Sequence, residues 1–487
     1  NISVIAPLVV VIISVANSVH IISIFKQGLH QSKKDVSAMI YSMQSNLRPV
    51  SLAAITTAIG FTSLSMSSSP AIQDFGRIVS VGIGFAYLLT ICMLPFMLVR
   101  ISNFPSVTED IGVNFLQPQL RSVIKFGSNN DKVIFSVCTA LAMVTFILLP
   151  LNQTDFNRLD FIASESDIRE YYDVVEESMN RGLGLSYAIE TDIEDRAIDP
   201  LFLERADEFT NWLSDQEEIE SVISIIEVIK TINRIINDND EKKYSIPLEI
   251  QTNANYLNAY KTVEDNFLPL DRFIDADYSA ITITVNAKEM TNQQMINLDQ
   301  KITKEFSENF PSASLIHGSG VLLFARMDEL VTIELLQGYS ISLLLITICL
   351  TLGFRSIYYG FLSVIPNLLP ATMVFGFWAL LVGQLDPFVM MLFSISIGLV
   401  VDDTVHILSH YLENRRDGIT KASAIENSII TAGPALTITT MVLALGTTVL
   451  IFANTLYFQQ SAKLLVPIVV LALLLDLLYL PSILRRF

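Results

Sequence analysis

Asp402 and Asp403 stand side by side in an apolar run, Ser394 to Tyr411 (SISIGLVVDDTVHILSHY), that also carries His406 and His410. The wider run from Phe388 to Tyr411 is long enough, as a helix, to cross a hydrocarbon layer of roughly 30 Å. There an Asp costs about 2.5 to 3.5 kcal/mol on insertion scales, against about 0.3 to 0.6 returned by each Leu, Ile, Val or Phe. So expensive a pair points to proton chemistry. Two carboxylates in one turn cannot both ionise cheaply in low dielectric, so a proton held between them is exchangeable. Each proton that crosses yields about 2.3 kcal/mol per 100 mV of membrane potential. The bland alternative is a buried network of acids hydrogen-bonded to threonines.

Helical spacing says what surrounds the acids. Gly398, Asp402, His406 and His410 follow at i, i+4, and Asp403 lies three residues before His406, so acids and imidazole share one side of the helix. Gly398 leaves room for a neighbouring helix or a file of water. His406 reads as a proton relay or hydrogen-bond partner, with inert packing and metal ligation as alternatives. Asp402 and His406 supply only two of the three or four donors a metal needs, so no metal and no other cofactor is expected. His410, nearer the end of the run, reads as interfacial. Thr437, Thr440 and Thr447 recur at helical spacing in the next apolar run, as Thr56, Thr57 and Thr62 do in an earlier one, for close packing or for a hydroxyl relay. Gly60 and Gly446 read as packing positions. Asp476, inside the last apolar run, is either a second proton site or reaches cytoplasmic water.

The elements that must hold these residues are membrane spans. With 51% of its 487 residues hydrophobic and 16% charged, the chain is a polytopic membrane protein. Apolar spans fall at about 2–25, 51–68, 77–99, 133–151, 332–353, 358–383, 388–411, 432–454 and 464–484. Lys and Arg cluster on alternate loops, from Lys26, Lys33 and Lys34 to Arg485 and Arg486, which marks those loops as cytoplasmic. The net charge of −18 is concentrated: 36 of the 49 acids lie between Asn152 and Leu330. That acidic segment is a domain in water outside the membrane, unsuited to nucleic acid or anionic head groups. Its alternating runs Gly184 to Thr191 and Tyr278 to Asn286, its helical runs Pro200 to Asp215 and Asn292 to Asn309, and further strands at Ile219 to Ile225 and Ser312 to His317 suggest a split βαβ, ferredoxin-like α+β module. Cys92, Cys138 and Cys349 all sit in apolar runs and offer no disulfide framework.

The chain also repeats itself. A shift of 386 positions lays Val19 on Val405, His20 on His406, Ser23 on Ser409, Gly60 on Gly446, Gln73 on Gln459, Pro95 on Pro481 and Arg100 on Arg486. This is a duplicated three-helix unit of the parallel kind. The expected layout is 1–101 as the last three helices of a first half, 102–131 as a cytoplasmic linker, 132–151 as the helix opening the second half, 152–330 as the outer domain and 331–487 as five further helices. If both halves were built alike, roughly 250 residues would precede Asn1.

With motif, repeat and layout together, the chain resembles the RND (resistance, nodulation and division) superfamily. It is most similar to the MMPL-type, hopanoid-exporter-like branch, which is related to Patched and to sterol-sensing proteins. The residues that carry the likeness are Gly398-Leu-Val-Val-Asp402-Asp403-Thr404-Val405-His406, which fit a GxxxDD pattern. The resemblance implies a multi-pass transporter of the inner (plasma) membrane, not an enzyme, in which intramembrane carboxylates take up and release protons while outer porter domains carry substrate. Asp402 and Asp403 match that motif residue by residue. The first copy departs from it, with Ile12, Ala16 and Asn17 under Gly398, Asp402 and Asp403, and no lysine lies deep in either central helix. Proton coupling then rests on the second copy, with Asn17 and His20 as polar partners. The implied partners are protons, membrane lipids, a hydrophobic or lipid-like substrate, and further copies of the chain in a dimer or trimer. A lipid receptor of the sterol-sensing kind, or an accessory to protein secretion, is the alternative. No Walker loop or nucleophile elbow is present.

Overall fold

The structure is a computed structural model. It describes every residue except 1, 31–34, 101–112, 155–166, 172–173, 175–182, 263–268, 454–455 and 487. Five helices come first: α1 (Ala6–His30), α2 (Asp35–Thr62), α3 (Pro70–Arg100), α4 (Val113–Asn129) and α5 (Asp131–Leu148). A mixed segment follows, with β1 (Leu183–Glu190), α6 (Pro200–Ser214), β2 (Ile219–Ile223), α7 (Ile225–Ile236), α8 (Ile250–Thr262), β3 (Ala280–Ala287), α9 (Asn292–Asn309) and β4 (Ser314–His317). The chain ends with α10 (Gly320–Phe354), α11 (Ile357–Leu381), α12 (Pro387–Arg416), α13 (Lys421–Thr448), α14 (Leu456–Leu474) and α15 (Leu480–Arg486). Two compact units result, 1–154 with 329–487, and 155–328.

In the first unit, nine helices among the described residues are long and apolar enough to cross a membrane. They coincide with the nine apolar runs of the sequence and mostly extend past them, because polar first and last turns continue the helix. α2, for example, begins at Asp35, far ahead of the apolar run from 51. The stretch expected as a plain linker holds α4 from Val113 on, whose Leu120 side chain packs at Gly433 of α13; residues 101–112 lie outside the described ones. α12 is the most buried of the nine. It starts sharply: the Asp386 carboxylate accepts from the amides of Phe388 (2.6 Å) and Val389 (2.9 Å), and Pro387 takes the first helical position. At its other end Gly418 turns the chain with φ +81°.

The duplication is written into the element boundaries. Under the shift of 386, α2 falls on α13 end for end, the short 3-10 turn Ser63–Met66 falls on Val449–Phe452, and the start of α3 at Pro70 falls on Leu456, the start of α14. The copies differ near the end of the third helix. There the second copy breaks into a π-turn, Leu475–Tyr479, where α3 continues as regular helix. Single π-turns of this kind concentrate at functional sites. The helices also pack reciprocally. Gly60 of α2 sits against Gly398 of α12, where an added Cβ would stand 2.9 Å from the Gly398 Cα; its twin Gly446 of α13 faces Ile12 of α1, the twin of Gly398. The central pair α1 and α12 is therefore related by a local twofold axis.

The second unit is α+β. Its four strands run in the order β2-β3-β1-β4, each pair antiparallel, so β3 separates β1 from β2 and the first β-α-β unit is split. Between β2 and β3 the chain carries α7 and α8. β3 alternates inward Ile281, Ile283 and Val285 with outward threonines, and these meet Phe209 of α6, Ile229 of α7 and Ile302 of α9 in one core. A capping box, Thr291 with Gln294, opens α9. At the edge of this core, Asp299 of α9 is fully buried and accepts from Tyr187 Oη (3.1 Å), His317 Nδ1 (2.9 Å) and the guanidinium of Arg326, in the second turn of α10.

Candidate functional site

α12 presents its two acids and its histidines to the interior of the membrane unit. Asp403 is 7% exposed and His406 fully buried, while the Asp402 side chain keeps 15% exposure, so of the pair Asp402 has the wider opening. Asp402 Oδ1 stands 3.4 Å from His406 Nε2, one turn along the helix, without the geometry of a hydrogen bond. Gly398 lets α2 come close enough for Thr57 Oγ1 to donate to the Gly398 carbonyl at 2.8 Å, one turn from the acids. Thr440 of α13 lies beside Asp403, and its hydroxyl has no well-formed hydrogen bond.

Across the local axis, α1 brings His20. The two imidazoles stack with ring centroids 3.7 Å apart and planes within 9° of parallel. Residues that are twins by sequence thus meet face to face, as residues on a twofold axis must. Asn17, one turn from His20 on α1, is buried with its amide Nδ2 unmatched. Asn46 of α2 steadies this region, its Nδ2 donating to the His20 carbonyl at 3.1 Å.

Asp476 is a third member of the acid group. Reading it as within reach of cytoplasmic water fails, because the residue has no exposed surface. Its Oδ1 accepts from Thr404 Oγ1 at 2.8 Å, which ties the π-turn to α12 next to Asp403. Its twin in the first copy is Thr90, so all three acids of the group have neutral counterparts: Ala16, Asn17 and Thr90. His410 lies one turn beyond His406 on α12. It is 4% exposed, with Nδ1 3.7 Å from Glu413 Oε2. For Asp476, packing by neighbouring helices decides burial, not distance along the chain from Arg485.

The expectation that too few donors exist for a metal also changes. His20, Asp402 and His406 each place one ligand atom within 4.8 Å of the others. No linear spacing could show this, since His20 is brought in by the crossing of two helices. Among the described residues the acids form no ion pair with Lys or Arg; the one charged-type contact is that of Asp402 with His406. Left without hydrogen bonds are Asp402 Oδ1, Asp476 Oδ2, His20 Nε2 and both His406 nitrogens. Each unmatched buried polar atom costs about 1 to 3 kcal/mol.

On the Pro387 side of the site lies an apolar chamber between α1, α12, α13 and α14, lined among others by Leu8, Ile12, Phe388, Leu399 and Leu450.

Comparison with known proteins bears on the family and the fold. The family model of the MMPL family matches residues 1–116 and 234–486. A membrane protein of Methanocaldococcus jannaschii is 25% identical over 269 residues, covering 54% of this chain and 66% of its own length. A hopanoid transporter of Rhodopseudomonas palustris is 26% identical over 153 residues, covering 30% of this chain and 17% of its own. Among solved structures, SecDF in its super-membrane-facing form aligns over 100% of this chain and 54% of its own, with TM-score 0.55 and 11% identity. The hedgehog release protein Disp of the water bear Hypsibius dujardini aligns over 98% of this chain and 62% of its own, with TM-score 0.61 and 12% identity. The chain thus spans only part of each relative, and at these identities the two structures show a shared fold alone.

Proposed function

The chain belongs to the MMPL family, and on that premise we propose that it exports a hydrophobic or lipid-like molecule, driven by protons taken up and released at Asp402 and Asp403. The observation that carries this reading is the group of three carboxylates, Asp402, Asp403 and Asp476, enclosed by α12 and the π-turn with no Lys or Arg paired to them among the described residues. Three acids so enclosed cannot all be ionised cheaply, so they hold protons, and the number held differs between states that open differently to water. Asp402, with its residual opening, exchanges with water; Asp403 is the inner carrier; His406 and His20 relay or accept hydrogen bonds. Because Asp476 is anchored to α12 through Thr404, a change of charge at Asp403 is felt on two helices at once. The family supports a place in the cell's inner (plasma) membrane, and the alternation of basic loops supports residues 152–330 as outside it.

The deciding experiment is proton flux in vesicles reconstituted with the full chain. An imposed pH gradient should drive substrate movement and a matched proton flux. Asp403→Asn, which keeps the shape and removes the titratable proton, should abolish both. Unchanged transport and unchanged gradient dependence in that variant would overturn the reading. A second reading, a lipid-binding receptor or an accessory to secretion, draws support from the apolar chamber beside the site. It predicts saturable lipid binding with no proton flux in either protein.

A further inference from the structure

We propose that His20, Asp402 and His406 form a binding site for one divalent transition-metal ion of the zinc, cobalt or nickel type, bridging α1 and α12 across the local twofold axis. Three observations carry it. The ligand atoms converge, with one from each residue inside a 4.8 Å span. His20 Nε2, Asp402 Oδ1 and both ring nitrogens of His406 are buried without a hydrogen-bond partner, so whichever His406 nitrogen is unprotonated, its lone pair, like those of His20 Nε2 and Asp402 Oδ1, is claimed by no other protein group. The surroundings also suit a dication: two further carboxyl groups, Asp403 next to Asp402 in the chain and Asp476 interacting with Asp403, belong to the same group, and no lysine or arginine is paired with them among the described residues.

The donor set selects the ion. Two imidazoles and one carboxylate suit borderline metals, whereas calcium and magnesium require oxygen-rich shells. Three protein ligands leave a fourth position open, as in zinc sites that keep a water. Tetrahedral donors about 2.0 to 2.2 Å from zinc stand roughly 3.4 Å apart, so the present spacing must close by about an ångström. Rotation of the terminal histidine torsions, which have broad minima, supplies that closure and also unstacks the rings.

A filled site would fasten the two central helices together and occupy Asp402. This consequence for transport rests on the proton reading above; the binding itself does not. Transition metals should therefore inhibit gradient-driven transport, and a chelator should restore it.

The test uses the full chain without a histidine tag, purified in detergent and stripped with chelator. Equilibrium dialysis with zinc should load one ion per chain at micromolar free metal or below, and cobalt should give the intense visible d–d bands of a tetrahedral complex. His20→Gln and His406→Gln should each weaken binding tenfold or more, while His317→Gln, in the other unit, should leave it unchanged. The cobalt spectrum of the unaltered chain keeps the proposal testable if a variant misfolds. Absence of a one-to-one ion, or binding that survives His20→Gln in a folded protein, would sink the proposal. Asp403→Asn separates the two readings: it should abolish proton flux yet retain the zinc, so loss of either leaves the other standing or fallen by itself.

Discussion

Replacing Gly60 by alanine tests how tightly the helices around the acids are set. A Cβ at Gly60 would stand 2.9 Å from the Gly398 Cα and 3.2 Å from the Gly398 nitrogen. Carbon atoms are comfortable at about 3.5 to 4.0 Å, and what is struck here is backbone, which cannot rotate aside. α2 must retreat from α12 by most of an ångström, and overpacking of this kind costs about 1 to 3 kcal/mol, partly offset by about 1 kcal/mol of improved helix propensity. The reciprocal change, Gly398→Ala, puts its Cβ 3.4 Å from the Thr57 carbonyl oxygen and 3.6 Å from the Gly60 Cα, which is ordinary contact, and should be neutral or slightly stabilising. Gly446→Ala, at the twin of Gly60, meets only the Cδ1 tip of Ile12 at 3.0 Å and should cost under about 1 kcal/mol. The assay is the thermal midpoint of the purified chain in detergent, followed by proton flux in vesicles. Gly60→Ala should lower both, because the displaced contact lies one turn from Asp402. If Gly398→Ala proves the more damaging of the pair, the packing argument is wrong.

Three further outcomes follow from single contacts. Thr404→Val deprives Asp476 of its only hydrogen-bond donor among the described residues and should cost about 1 to 3 kcal/mol; Thr404→Ser should recover most of it, as read from thermal midpoints. Asp299→Ala removes the acceptor shared by Tyr187, His317 and Arg326 and should cost about 3 kcal/mol, the low end for a broken buried pair because Arg326 is half exposed. With Trp378→Phe as background, Trp212 fluorescence alone reports on that unit in denaturant. The same probe should show loss of stability in strong base. Burial, and then the Asp299 carboxylate, hold the Tyr187 hydroxyl well above the usual tyrosine range. Its contribution is therefore full below about pH 10, where an unfolded tyrosine begins to ionise, and falls as pH rises beyond that. At the acid end Asp275 acts in the opposite sense. Burial pushes its carboxyl up, but hydrogen bonds from Ser279 and Ala280 outweigh this and hold it below the usual range, so its contribution is present above about pH 4 and fades as pH falls further.

How much of this could be read from residues alone differs from part to part. Hydrophobic run length found the nine candidate spans among the described residues, since a lone apolar segment in lipid must satisfy its backbone hydrogen bonds within itself, as a helix does. The repeat showed that His20 and His406 are equivalent, but not that they touch. Equivalence is a property of the chain, whereas contact requires the axis to pass between them. Asp476 was visible as an acid in an apolar run, yet its place beside Asp403 depends on the π-turn, a local irregularity with no distinctive residue pattern. The helix α4 escapes a reading of the sequence for a related reason: it packs on a neighbour distant in sequence, with Leu120 at Gly433 of α13.

The asymmetry of the duplication has a physical logic in the packing. Positions 20 and 406 lie on the axis and face each other, so both experience one environment, and both are histidine. Positions 16 and 402, 17 and 403, and 90 and 476 are also twins, but in each pair only the second copy is acidic. Six acids around one axis would place each charge near several of its own kind, with no cation paired to any of them. Like charges in low dielectric repel strongly. Three acids on one side, with neutral Ala16, Asn17 and Thr90 on the other, keep a group that can hold protons without that repulsion. The central pair then works as one charged helix, α12, against one neutral partner, α1, joined at a pair of imidazoles. A change of protonation on α12 has no equal and opposite counterpart across the axis, so it can tilt the balance between the two copies instead of being cancelled by symmetry.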